Sequence, residues 1–182
     1  MGGGMSEEQP GAAGGADSTI VRELGSADLF SLIELEEQIF GAEAWSEALV
    51  LEELNGSDRY YVGIVTDDAR QRLLGYAGIR LAIDTDVMTI GVHADARGRG
   101  FGGRLLDHLI DHCRMTVLPS NRDPRLADER PHRIERVFLE VRESNEVAQS
   151  LYRSRGFREI SRIPRYYHQP SEAAVVMTLD LR

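Results

Sequence analysis

Arg97-Gly98-Arg99-Gly100-Phe101-Gly102-Gly103 lies between two segments of different periodicity, and this junction decides the architecture. The preceding run, Val87-Met88-Thr89-Ile90-Gly91-Val92, is short, apolar and rich in β-branched residues, which predicts a strand. In the following segment Leu105, Leu106, Leu109, Ile110 and Cys113 recur at helical spacing, with Arg104, Asp107, His108, Asp111 and His112 on the opposite face. Four glycines within six residues let the chain turn sharply and bring bare N–H groups against a ligand. The first turn of a helix has unpaired donors and the positive end of the macrodipole, so an anion suits it, and Arg97, Arg99 and Arg104 add positive charge. The stretch reads as a site for a cofactor bearing a diphosphate.

Gly98-x-Gly100-x-x-Gly103 also satisfies the dinucleotide-binding glycine pattern. That pattern should open a strand-helix-strand unit with an acidic residue about twenty positions on, at the end of the next strand. At that distance stands Leu118-Pro119-Ser120-Asn121-Arg122-Asp123-Pro124, a loop sequence, so the context counts against a nicotinamide or flavin dinucleotide.

At 182 residues, 42% hydrophobic and 28% charged, the chain is expected to form one domain with a substantial core. A formal net charge of −9 argues against nucleic acid and anionic membranes as partners and suits a cationic amine or basic peptide. The single Cys113 excludes an internal disulfide and belongs to the apolar face of its helix, as a small hydrophobe. With no apolar run of membrane-spanning length and no signal-peptide pattern, a cytoplasmic protein is expected. His108 and His112 share a helix face, but no third ligand can be named from the sequence, and no metal is expected.

Residues 1–18, mostly Gly, Ala, Ser, Glu and Asp, are predicted to be a disordered tail. The domain is expected over residues 19–182, opening with a strand over 19–24 and an amphipathic helix over 28–40. Ser46 is expected to cap a second helix with Leu49, Val50 and Leu54 facing inward. Strands over 59–66, 72–82 and 87–93, separated by turns at Asp67-Asp68 and Asp84-Thr85-Asp86, predict an antiparallel meander that feeds the glycine loop. Residues 118–132, with three of the six prolines, read as a surface insertion.

The second informative segment alternates: Val137, Leu139 and Val141 share one strand face, with Phe138 and Glu140 on the other. Ser144 or Asn145 then caps a helix striped by Val147, Ala148, Leu151 and Tyr152, and Gly156 marks its end. From the residues alone, Glu140 is equally readable as a catalytic base or as the partner of Arg136 or Arg142. Tyr152 reads as a packed aromatic, and Trp45 as either a core residue or the wall of a substrate entrance.

The run Leu139-Glu140-Val141-Arg142, Ser144-Asn145, Leu151-Tyr152 and Gly156-Phe157, taken with Arg97-x-x-Gly100-x-Gly102, resembles the GNAT family of N-acetyltransferases. Trp45-Ser46, Tyr166-Tyr167 and Glu172 make it most like the RimI-type ribosomal-protein alanine N-acetyltransferases, with departures at Ala44, His168 and Ala173. The resemblance implies an α+β fold, a mixed and largely antiparallel sheet flanked by helices and splayed at an acetyl-coenzyme A (acetyl-CoA) site. It implies cofactor contacts from Ile90, Gly91, Val92, the stretch Arg97, Gly98, Arg99, Gly100, Phe101, Gly102 and Gly103, and also Asn145 and Tyr152. Catalytic roles fall to Glu140 as base and Tyr152 as acid, and acceptor contacts to Trp45, Glu140, Tyr166 and Tyr167. The implied reaction is acetylation of the N-terminal alanine of a small-subunit ribosomal protein. Alternatives are a small-molecule amine or another protein as acceptor, or a non-catalytic acyl-CoA binding module.

Overall fold

The computed structural model describes residues 18–119 and 131–182, so the expected tail apart from Ser18, and positions 120–130 of the expected insertion, lie outside the described residues. Among the described residues, nine strands and four α-helices run in the order β1 (Thr19–Glu23), α1 (Leu29–Phe40), α2 (Glu47–Asn55), β2 (Arg59–Thr66), β3 (Leu73–Arg80), β4 (Asp84–Val92), α3 (Phe101–Met115), β5 (Val117–Leu118), β6 (His132–Arg133), β7 (Arg136–Arg142), α4 (Glu146–Ser154), β8 (Arg158–His168) and β9 (Ser171–Asp180). Seven of the strands form one sheet in the order β1-β2-β3-β4-β7-β9-β8. Every pairing is antiparallel except that of β4 with β7.

Both faces of the sheet are covered, which explains why β2 and β3 read as almost unbroken apolar runs. On one face Val62, Ile64, Ala77 and Ile79 pack against Leu105, Leu106 and Leu109 of α3 and Tyr152 of α4. On the other, Tyr61, Val65 and Tyr76 pack against Leu32 and Leu35 of α1 and Val50 of α2. Cys113 is buried as expected, and burial pushes its thiol up to about 12.

Several expectations need correction. Asp84, Thr85 and Asp86 are strand, not turn: they pair in parallel with Arg136, Val137 and Phe138, while Arg136 holds Asp84 through two hydrogen bonds of 2.9 Å. Leu49 is 37% exposed, because the Ser46 cap on its N–H sets a helical phase that turns Val50 and Glu53 inward. Val147 is 84% exposed and Gln149 takes the buried place, donating to the carbonyls of Arg142 and Glu143. Leu118 and His132, expected in a loop, pair as the ends of a two-stranded ribbon. The β8–β9 hairpin has no counterpart among the expected strands. Nearly all of β8 is exposed, so its sequence lacks the alternation that marks a half-buried strand.

The decisive feature lies at the centre of the sheet. The β4–β7 ladder runs only from Asp84↔Arg136 to Asp86↔Phe138. Past that point β4 stays paired with β3 up to Val92, and β7 stays paired with β9 up to Arg142. The sheet therefore opens into a wedge between the second half of β4 and the second half of β7.

Candidate active site

The wedge forms a cleft of about 400 Å³. Met88, Thr89 and Ile90 of β4 form one side, and Glu140, Val141 and Arg142 of β7 the other. Tyr152 of α4, Tyr166 and Tyr167 of β8, and Glu36, Phe40, Glu43 and Trp45 of α1 and the following loop complete the lining. Ile90, Trp45, Glu140, Asn145, Tyr152, Tyr166 and Tyr167, all singled out in the sequence, thus meet around one space. Gly91, Val92 and the stretch from Arg97 to Gly103 are not in its lining; they lie further along the chain, at the end of β4 and the start of α3.

Glu140 is exposed to the cleft, with its strand neighbours Leu139 and Val141 buried behind it. Displacement of water by the surrounding protein, helped by Asp86, raises its carboxyl above the usual range. The pairing with Arg136 or Arg142 that the sequence allowed is absent among the described residues, since Arg136 holds Asp84 and Arg142 holds Glu43 and Glu172. Tyr152 is 8% exposed, its ring tilted against Phe157 at 5.9 Å, and burial pushes its hydroxyl up to about 12. No hydrogen bond to that hydroxyl occurs among the described residues, so it is not the satisfied core tyrosine that composition alone favours.

The glycine loop is shaped by backbone requirements. Gly98 and Gly100 have φ of +76° and +77°, a left-handed conformation costly to any residue with a Cβ, and Gly100 is the N-cap of α3. The first N–H groups of α3 have no acceptor within the helix and point away from its N-terminus, as anion binding requires. Gly103 serves packing, since a Cβ there would lie 2.6 Å from the Arg155 guanidinium of the adjacent α4 segment. Phe101 is buried under the Arg99 guanidinium at 4.8 Å, so only its backbone is available to a ligand. Arg104 is bound to Thr19 of β1 at 2.7 Å, which removes it from the charge expected to face an anion. Asn145 accepts the Ala148 N–H at 3.1 Å as N-cap of α4, which commits its oxygen and leaves its NH2 group for a ligand.

Sequence reasoning missed the residue that ties the walls of the cleft together. Arg142 Nη2 meets both carboxylate oxygens of Glu43 at 2.7 and 2.6 Å, and Nη1 meets Glu172 at 3.2 Å. It also donates to the carbonyls of Gln169 and Pro170, and its guanidinium lies 4.1 Å over the Tyr167 ring. One cation thus joins the α1–α2 loop, β7 and the β8–β9 hairpin. These contacts cross up to 99 positions of sequence, and the only local signal was a charged residue ending an apolar strand. His108 and His112 face Tyr60 instead of a ligand: its ring stacks on His112 at 3.5 Å and its hydroxyl lies 3.1 Å from His108 Nε2.

A sheet opened between two central strands, a glycine-capped helix at the end of one and a carboxylate on the other define an acyl-coenzyme A-dependent transferase. A family model described as acetyltransferase (GNAT) domain matches residues 57–159, and the chain belongs to that family. It is 36% identical over 163 residues to N-alpha-acetyltransferase RimI from Mycobacterium tuberculosis, a match covering 86% of this chain and 89% of that one. It is 37% identical over 164 residues to an uncharacterized Mycobacterium leprae protein, covering 87% of this chain but only 40% of that longer one. In fold it is similar to the ribosomal-protein-S18-alanine N-acetyltransferase of Escherichia coli, with TM-score 0.73 and 24% identity over 90% of this chain and 94% of that one. The protein is an N-acetyltransferase with the mixed, mostly antiparallel GNAT sheet flanked by four helices. Solved proteins of this fold hold acetyl-CoA.

Proposed function

We propose that the protein transfers an acetyl group from acetyl-CoA to the N-terminal α-amino group, an alanine, of a small-subunit ribosomal protein. The observation that carries this reading is the convergence of Glu140, Tyr152 and the aromatic residues Trp45, Tyr166 and Tyr167 on the cleft opened between β4 and β7. The similarity to the mycobacterial RimI over most of both chains supports the α-amino acceptor.

Acetyl-CoA supplies the acetyl group as a thioester. The residues fit it: positive-φ glycines with free N–H groups at the start of α3 suit its pyrophosphate, and Arg97 and Arg99 lie beside them. Beyond Asp86, no strand among the described residues pairs with β4 on the β7 side, so Ile90 to Val92 can take an extended, amide-bearing arm as an added strand. The Val92 N–H polarises the acyl carbonyl as negative charge gathers on its oxygen.

An α-amino group with pKa near 8 is only about a tenth neutral at pH 7, so the nucleophile needs a proton acceptor. Glu140 fills this role directly or through one water, and its raised pKa brings it nearer to that of the amine. As the new amide bond forms and the carbon–sulfur bond breaks, one proton leaves the nitrogen toward Glu140. Tyr152, protonated at neutral pH because burial raises its pKa to about 12, donates its hydroxyl proton to the departing thiolate and recovers one from solvent. Trp45, Tyr166 and Tyr167 wall a slot for a small first side chain, and Tyr166 and Tyr167 stand edge to face at 5.1 Å.

The test is mass spectrometry of an alanine-starting peptide of the ribosomal substrate type, with polyamines and aminoglycosides assayed in parallel, each with acetyl-CoA. A single acetyl on the peptide α-amine is expected. Labelling of the small amines alone would overturn the acceptor, and absence of transfer to any amine would overturn the reaction.

A further inference from the structure

Glu36 lies on the inward face of α1, beside Leu35 and one turn after Leu32, where helical spacing calls for an apolar side chain. It is only 2% exposed. Its Oε1 accepts the Trp45 N–H at 3.1 Å, while Oε2 is buried with no hydrogen-bond partner among the described residues. No ion pair among those residues reaches it. A buried carboxylate without a cation opposes folding, so packing does not account for it. Nor does the bond to Trp45, which the neutral amide of a glutamine would make equally well. The charge and the second oxygen lack a partner among the described residues.

The same side chain lines the cleft together with Glu140, Tyr152 and Trp45. The cleft's other acidic group on this side, Glu43, is neutralised by Arg142. Glu36 and Glu140 are thus left as carboxylates of the cleft without a cationic partner among the described residues. Burial raises the Glu36 carboxyl to about 7, close below an α-ammonium group, which favours sharing a proton with such a ligand. Oε2 is screened from water, the setting in which a charge-assisted hydrogen bond is strongest.

We propose that Glu36 is a specificity-determining residue whose Oε2 receives the α-ammonium group of the acceptor peptide in the slot walled by Trp45, holding it for delivery to Glu140. This rests on the reading of the acceptor as a protein N-terminus. It explains why an apolar position of α1 carries an acid, and why that acid is bonded to the backbone of the aromatic wall.

Steady-state kinetics of the full chain and of Glu36→Gln, with an alanine-starting peptide and acetyl-CoA, test it. The glutamine keeps an oxygen for the Trp45 N–H and removes the charge. A rise of about tenfold or more in the peptide KM is expected, with the acetyl-CoA KM within about twofold of wild type. A second probe is the same peptide with its first residue replaced by lactate, which has a hydroxyl where the ammonium was. As inhibitors, the wild type is expected to prefer the ammonium-bearing form of a dead-end peptide over the lactyl form by about tenfold, and Glu36→Gln to lose that preference. A higher melting temperature in Glu36→Gln is expected whatever the role, so kinetics decide. Wild-type turnover with an unchanged peptide KM and an unchanged preference in Glu36→Gln would overturn this inference alone. A wild type that acetylates no peptide α-amine would remove the acceptor reading and this inference together.

Discussion

At the start of α3 the candidate donor site consists of backbone, with two glycines at positive φ, a first helical turn that no side chain caps and a β4 edge that no described strand covers beyond Asp86. In the cleft itself the candidate acceptor site consists of side chains that hold one another, with Arg142 joining Glu43, Glu172 and the carbonyls of the β8–β9 hairpin. The first arrangement depends on conformations few residues tolerate and suits a group common to all acyl-CoA donors. The second depends on ion pairs whose members can change together, so it can be retuned for a different amine while the donor side stays fixed. The contrast separates the chemistry from the choice of acceptor.

The sharpest way to break this division is at Glu140, the base of the proposed mechanism. Glu140→Gln is expected to lower kcat by 100-fold or more, with both KM values little changed, measured by thiol release. The sign of the pH dependence follows from its raised pKa: the base works when deprotonated, so wild-type kcat at saturating peptide falls as pH drops through that pKa, in addition to the slope that the free amine gives kcat/KM, and the glutamine variant loses this added limb. The same kcat limb in the wild type and in Glu140→Gln would remove Glu140 from the role.

Gly100→Val tests the donor side alone. A β-branched residue at φ of +77° costs about 1–2 kcal/mol, so the acetyl-CoA KM is expected to rise about tenfold, or the thermal shift given by acetyl-CoA to disappear. The peptide KM should stay near wild type. Arg142→Gln tests the acceptor side, with the reverse outcome: the peptide KM rises several-fold as the α1–α2 loop and the hairpin lose their common anchor, and the acetyl-CoA KM holds. If the two variants fail to separate in this way, the two ends are not independent. The smallest effect is expected at Val147, which the helical stripe counted as core and which is 84% exposed: Val147→Ser should change stability by less than about 0.5 kcal/mol in a urea titration.

Local patterns were legible where local physics dominates. The β4-to-α3 junction, the buried stripe of α3 and the alternation of β7 follow from periodicity and from glycine's freedom at positive φ, and the structure bears them out. The misreadings share a cause. Asp84 to Asp86 carry turn residues, yet the partner strand β7, about fifty positions on, makes them strand. Val147 and Leu49 lie on apolar-looking helices whose rotation is set by caps and by neighbouring elements. The β8–β9 hairpin had no alternation to reveal it because β8 faces solvent.

By itself the sequence determined the glycine turn before α3, the strand that carries Glu140, the helix that carries Tyr152 and the family, because glycine conformation and side-chain periodicity are properties of consecutive residues. Only the tertiary structure decided where β4 and β7 part, that Arg142 belongs to Glu43 and Glu172 instead of Glu140, and that Glu36 lies buried in the cleft with an oxygen to spare. Each depends on which distant segments share a strand edge or a helix face, and the free energy of that choice is spread over the whole core.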